Sequence, residues 1–205
     1  MHEFIHQEIE KSFQLLTQIK KDEFLCSVVD KIAFVCVTAL RQRRKILFAG
    51  NGGSAADSQH LAAEFVSKLS YNRPALSAIA LTTDTSVLTA IGNDYGFENI
   101  FARQIEAIGQ EGDVFIGIST SGRSPNILRA LEIARQRQII TIGFTGKTAP
   151  LMNHHCDLLL NIPSQETQKI QECHIMFGHI VCALIENAFF GEKYHPAAKL
   201  EVALA

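Results

Sequence analysis

KILFAGNGGSAADSQHLAAEF (45–65) is the stretch that decides the fold. It opens with a short apolar run, turns through closely spaced glycines and continues with apolar residues at helical intervals. An apolar run of that length, bounded by glycine, reads as a strand buried on both faces. The same rhythm returns at LSAIALT (76–82), DVFIGIST (113–120), IITIGFTG (139–146) and DLLLNIPS (157–164), each ending in Gly, Ser or Thr. Helical patterns lie between most of these runs. Strands that alternate with helices imply an α/β protein with a parallel sheet covered by helices.

Upstream of that stretch, Phe4, Ile5, Ile9, Phe13, Leu16 and Ile19 fall at helical spacing. The pattern repeats from Leu25 to Leu40 through Val28, Val29, Ile32, Val35 and Cys36. Both helices are apolar over a wide face, which suggests cover from more than one partner, including another subunit. The last long helix is expected from about Glu166 to Phe189, before Gly191 and Pro196. With no repeat, linker or low-complexity segment, the chain reads as one domain over residues 1–205. Within it, 1–44 form the N-terminal helices, 45–190 the sheet and its flanking helices, and 191–205 a tail.

Composition narrows the function. Hydrophobic residues make up 47% and charged residues 20%, with a net charge of −2. That balance gives no electrostatic reason to expect nucleic acid or an anionic membrane surface. The densest basic run, RQRR (41–44), ends a helical pattern, where cations are favoured anyway. No apolar run approaches the ~20 residues of a membrane helix, and the acid-bearing start is unlike a signal peptide. A cytoplasmic protein is expected. The five cysteines show no C-x-x-C spacing; four lie in helical patterns, as buried free thiols would.

Two loops are shaped for an anion. Gly50-Asn51-Gly52-Gly53-Ser54 follows the first strand and leads straight into a helix, whose free N–H groups point back at the loop. Ser119-Thr120-Ser121-Gly122-Arg123-Ser124-Pro125 follows the third, with hydroxyls around one glycine and a proline suited to the first helical turn. Hydroxyls with helix-start amides make a cradle for a phosphate monoester. Neither loop matches a nucleotide fingerprint. Both fall at strand ends where open sheets bind ligands.

Two polar pairs interrupt apolar helices. His60 and Glu64 lie four apart and therefore share a helix face, while Gln171 and His179 lie eight apart on a slowly drifting stripe. If the helices meet, two imidazoles, a carboxylate and an amide converge, a set that can hold a divalent metal and contains a base and an acid. Spacing alone also allows two unrelated pairs, solvated or bonded within a bundle. Asp57, Gln59, Asp84, Asn99 and Arg103 are polar near these motifs without an assigned chemistry. His174 reads as a bundle position, and His154 and His155 as loop residues.

GNGGSAADSQHLAAE, AIALTTDTSVLTAIGNDYGFE (78–98), GDVFIGISTSGRSPN (112–126) and KIQECHIMFGHIV (169–181) together resemble the sugar isomerase (SIS) domain. Within it they resemble the phosphoheptose isomerases, which convert sedoheptulose 7-phosphate to D-glycero-D-manno-heptose 7-phosphate for lipopolysaccharide core or surface glycans. The resemblance implies a flavodoxin-like five-stranded parallel sheet and a homotetramer with active sites between subunits. It implies sugar-phosphate contacts from Gly52, Gly53, Ser54, Asn93 and Asp94, and phosphate binding by Ser119, Thr120, Ser121 and Ser124. His60, Glu64, Gln171 and His179 match the zinc-binding positions, one zinc per subunit, with Glu64 and Gln171 also facing substrate. Glu64 and His179 match the proton-transfer pair. Lys68 and Lys169 stand where the family has arginine, Gln168 where some members have aspartate, and Lys147–Cys156 lacks a glycine pair.

Three other readings compete. A replication-initiator-associating relative keeps the loops but lacks the glutamate and second histidine, both present here as Glu64 and His179. A sugar-phosphate sensor would need a basic DNA-binding domain, for which residues 1–44 are too short and too acidic. Isomerisation of a different sugar phosphate would use the same loops.

Overall fold

The computed structural model describes residues 1–148 and 151–194. Two helices, α1 (His2–Lys20) and α2 (Glu23–Arg41), precede β1 (Ile46–Gly50) and α3 (Gly53–Val66). There follow β2 (Ala78–Ala80), α4 (Thr85–Tyr95), α5 (Ala102–Ile108), β3 (Val114–Ile118) and α6 (Pro125–Gln136). The chain continues through β4 (Ile140–Thr145) and β5 (Leu158–Asn161) into α7 (Thr167–Tyr194). The strands form one parallel sheet in the order β2-β1-β3-β4-β5. This is the flavodoxin-like order expected, with its switch point between β1 and β3.

Two apolar layers sandwich the sheet. On one face Ile46, Phe48, Ile116, Ile142 and Phe144 pack with Ile32 and Cys36 of α2, Leu61 and Phe65 of α3, and Phe177 and Ile185 of α7. On the other, Leu47, Ala49 and Phe115 pack with Ile105 of α5 and Ile127, Leu131 and Ala134 of α6. Every residue of β1 and β3 is buried, which explains why their sequences carry no polar alternation. Fully burying each such Phe or Ile side chain contributes about 1.5–3 kcal/mol.

The edges depart from the expectation of burial on both faces. β2 is only three residues long and exposes Ile79, and β5 is buried fully only at Leu160. An edge strand has a neighbour on one side alone, so fewer side chains are covered. Another departure is α7, which runs on to Tyr194 rather than stopping at Phe189; Pro196 and the rest of the tail lie outside the described residues. Contrary to the sequence reading, Thr167–Gly191 has the length and hydropathy of a membrane helix. It packs against α2, α3 and the sheet face, so this apolarity is accounted for by the core. Cys36, Cys173 and Cys182 are buried as expected, whereas Cys26 is exposed.

Candidate active site

The first loop owes its shape to contacts on both sides. A Cβ on Gly53 would stand 2.2 Å from Nε2 of Gln171, so any larger residue there would force that amide aside. Ser54 is buried beneath the loop, its carbonyl accepting the hydroxyl of Ser58 at 2.8 Å. Asn51 and Asn126 exchange side-chain hydrogen bonds in both directions, at 2.9 and 2.8 Å. That pair locks the loop after β1 to the first turn of α6, and hence to the second loop. Both asparagines lie inside the motifs read from sequence, but nothing in their spacing foretells the pairing.

The second loop rises from β3 toward α6. Ser119 donates its N–H to Phe144 of β4 at 2.9 Å, and its hydroxyl bonds that of Ser124 at 2.8 Å. Thr120 accepts the N–H of Gly146 at 3.1 Å, and the Ser121 hydroxyl accepts the N–H of Arg123 at 3.3 Å. Ser119 is buried at the base of the loop, Thr120 and Ser124 are half-buried, and Ser121 is exposed. The loops thus flank the switch point on adjacent strands, Gly50 lying beside Ile118.

α3 and α7 run parallel on one face of the sheet and meet rung by rung. Asp57 is hydrogen-bonded to Gln171. One turn further, Nε2 of His60 and Nε2 of His179 stand 2.7 Å apart, and His60 Nε2 lies 3.3 Å from Oε1 of Glu64. The close approach depends on Gly178, where a Cβ would meet Leu61 at 2.6 Å. Donor atoms of His60, Glu64 and His179 all lie within 4.8 Å of one another. An ion bound at about 2.0–2.1 Å spaces its tetrahedral ligand atoms roughly 3.3 Å apart. Two imidazoles and a carboxylate gathered this closely are a donor set suited to zinc.

Asp57 is the residue to which sequence reasoning gave no role. It precedes His60 by three residues and Glu64 by seven, and that helical spacing was the available signal. Burial raises its pKa, against the lowering effects of the Gln171 hydrogen bond and of His60 and His179; its Oδ2 has no partner. Gln171 meets Asp57 and Gly53 rather than standing free beside the histidines.

The remaining expected residues are placed differently. Asn93 and Asp94 are exposed near the end of α4, and Asn93 donates to Asp94 at 2.7 Å. Among the described residues no hydrogen bond or ion pair joins them to the histidine cluster. Lys169 is committed to α1, its ammonium 2.8 Å from the Ser12 hydroxyl and 3.2 Å from Glu172. Lys68 is exposed after α3. His174 is fully buried and bonded to the Thr145 carbonyl at 3.2 Å, a core residue as expected.

Known proteins resemble this chain in sequence and in fold. The SIS domain family matches residues 9–146. The phosphoheptose isomerase of Burkholderia pseudomallei is 52% identical over 93% of this chain and 96% of its own length. That of Aneurinibacillus thermoaerophilus is 50% identical over 95% and 98%. The solved structure of phosphoheptose isomerase from Neisseria gonorrhoeae superposes with a TM-score of 0.85 at 40% identity, covering 91% of this chain and 98% of that one. With its sheet order, its paired loops and relatives alike over nearly their whole length, the chain belongs to the SIS domain family and, within it, to the phosphoheptose isomerases.

Proposed function

We propose that this chain isomerises sedoheptulose 7-phosphate to D-glycero-D-manno-heptose 7-phosphate, supplying heptose for lipopolysaccharide core or surface glycans. The observation that carries the reading is the convergence of His60, Glu64 and His179 between two helices whose neighbouring loops suit a phosphate. The phosphate sits against Ser119, Thr120, Ser121 and Ser124. The sugar chain runs past Gly52, Gly53 and Ser54 toward the histidines.

His60, Glu64 and His179 would hold one zinc per subunit, with Gln171 as the fourth ligand. Zinc bound there supplies a Lewis acid that polarises the carbonyl. Glu64 directs Oε1 toward His60, which leaves Oε2 to take the proton from C1. The C–H electron pair becomes the C1–C2 double bond, and His179 gives a proton to the C2 oxygen. Return of the proton from Glu64 to C2, with the O1 hydroxyl proton passing to His179 to restore it, yields the aldose.

The assembly is a homotetramer in the cytoplasm. α1 buries only Leu15 and Ile19 and leaves Phe4 and Phe13 65% and 64% exposed. Such a stripe fits cover by a second copy. Incubation of purified protein with sedoheptulose 7-phosphate, followed by NMR of the products, tests the reaction. Folded, zinc-loaded protein that returned the ketose unchanged would refute it.

A further inference from the structure

α3 and α7 are gripped at one more place, away from the donor atoms. Glu186 lies on α7, seven residues beyond His179, and Arg73 lies in the loop after α3. Their side chains are 2% and 1% exposed, and Nε of Arg73 donates to Oε1 of Glu186 at 2.8 Å. The other carboxylate oxygen accepts the N–H groups of Ser70 at 2.8 Å and Tyr71 at 3.3 Å, and Oε1 also accepts that of Leu69 at 3.2 Å. The guanidinium turns its remaining donors onto the end of α3. It reaches the Phe65 carbonyl at 2.7 Å, the Pro74 carbonyl at 3.0 Å and the Glu64 carbonyl at 2.7 Å.

The last carbonyls of a helix lack partners within it and fray unless something caps them. Here the cap is a side chain anchored to the neighbouring helix, and one capped carbonyl belongs to Glu64 itself. A buried ion pair is a poor source of net stability. Its planar fork, however, fixes a carboxylate and two carbonyls in one geometry, which a lysine ammonium cannot do.

We propose that Arg73 and Glu186 form a positioning clamp that sets Glu64 and His60 on α3 at the correct distance from His179 on α7. Neither residue touches substrate; both act through the backbone of Glu64. The inference rests on the zinc-dependent isomerase reading and adds to it the device that holds the cradle's two halves in register. A displacement near 1 Å at such a site is enough to cost roughly 10²-fold in rate.

The test compares wild type with Arg73→Lys and Glu186→Gln. Zinc affinity is measured by chelator competition, the Co²⁺-substituted protein by visible absorption, and turnover by kcat and KM. Arg73→Lys keeps a charge opposite Glu186 but loses the two-carbonyl grip. It should weaken zinc binding about 10–100-fold, as outer-shell losses do, shift the Co²⁺ bands and lower kcat. KM should stay within about twofold, because the phosphate loop is held separately by Asn51 and Asn126. Wild-type zinc affinity, Co²⁺ spectrum and kcat in folded Arg73→Lys would overturn the clamp. So would equal losses in kcat, 1/KM and melting temperature, the pattern of a general structural role. If Arg73→Lys does not fold, Glu186→Gln decides by the same criteria. Wild-type protein that bound zinc but left the sugar phosphate unchanged would sink the isomerase reading alone, with the clamp still judged by metal affinity. Wild type without zinc would remove both.

Discussion

The α3–α7 pair and α4 carry two parts of one expected site, and they are finished to different degrees. Between α3 and α7, His60 and His179 meet at 2.7 Å with Glu64 3.3 Å from His60 on α3, glycine allows close approach and a buried ion pair caps the end. α4 has no fully buried residue. Its end presents Tyr95, stacked under the Arg103 guanidinium at 3.9 Å, next to an exposed Phe97. The difference teaches that a group of donors can close within one pair of helices while an exposed helix end stays uncovered. His60, Glu64 and His179 come together within one chain, whereas Asn93 and Asp94 lie on an exposed surface.

The largest effect should come from the finished half. Glu64→Gln preserves shape but removes the base, and turnover should fall by 10³-fold or thereabouts, within the range general-base catalysis supplies. Exchange of the C1 proton with solvent at the wild-type rate, in a variant that kept its zinc, would show that Glu64 is not the base. His60→Ala with His179→Ala should empty the site of metal, read by elemental analysis; full zinc content would break the cradle.

The unfinished half is tested by complementation. If α4 serves a neighbouring protomer's site, Glu64→Gln and Asp94→Ala chains refolded together should recover up to about a quarter of wild-type activity, since random pairing restores one site in four. No recovery in mixed tetramers would place Asp94 in its own protomer's site. Light scattering should report a tetramer, and Phe13→Asp on the α1 stripe should break it into smaller species.

A smaller effect separates core from site. Burial depresses the His174 pKa to about 4, against the raising effect of its hydrogen bond with the Thr145 carbonyl. The unfolded chain takes up this proton near pH 6.5 and the folded one does not, so stability falls as pH drops from about 6.5 toward 4. The loss is of order 3 kcal/mol by linkage. His174→Asn should flatten that slope in denaturant titrations at pH 7 and pH 4.5; an unchanged slope would assign it elsewhere.

The smallest effect concerns the phosphate loop. Ser119→Ala or Ser124→Ala removes one partner of a 2.8 Å hydroxyl pair. Each should raise KM with little change in kcat, by about 1–3 kcal/mol for a donor lost to a charged acceptor. A fall in kcat alone would move these serines from binding to chemistry.

Much of this was present in the order of residues. Runs such as ILFAG and VFIGI are apolar without alternation because both faces of a central parallel strand are buried, so the sheet was legible from composition alone. His60 with Glu64 was legible for a similar reason, since a spacing of four fixes a shared helix face locally. That Gln171 and His179 belong to the same site was an inference from resemblance, and only tertiary packing brings His179 to His60 across 119 residues of sequence. Tertiary structure alone also decided that Asp57 engages Gln171, that Asn51 locks to Asn126, and that Arg73 reaches back to the Glu64 carbonyl. Those contacts join residues whose separation follows no helical or strand period. Periodicity reports which face a residue occupies, and the approach of two faces depends on the whole core that packs them together.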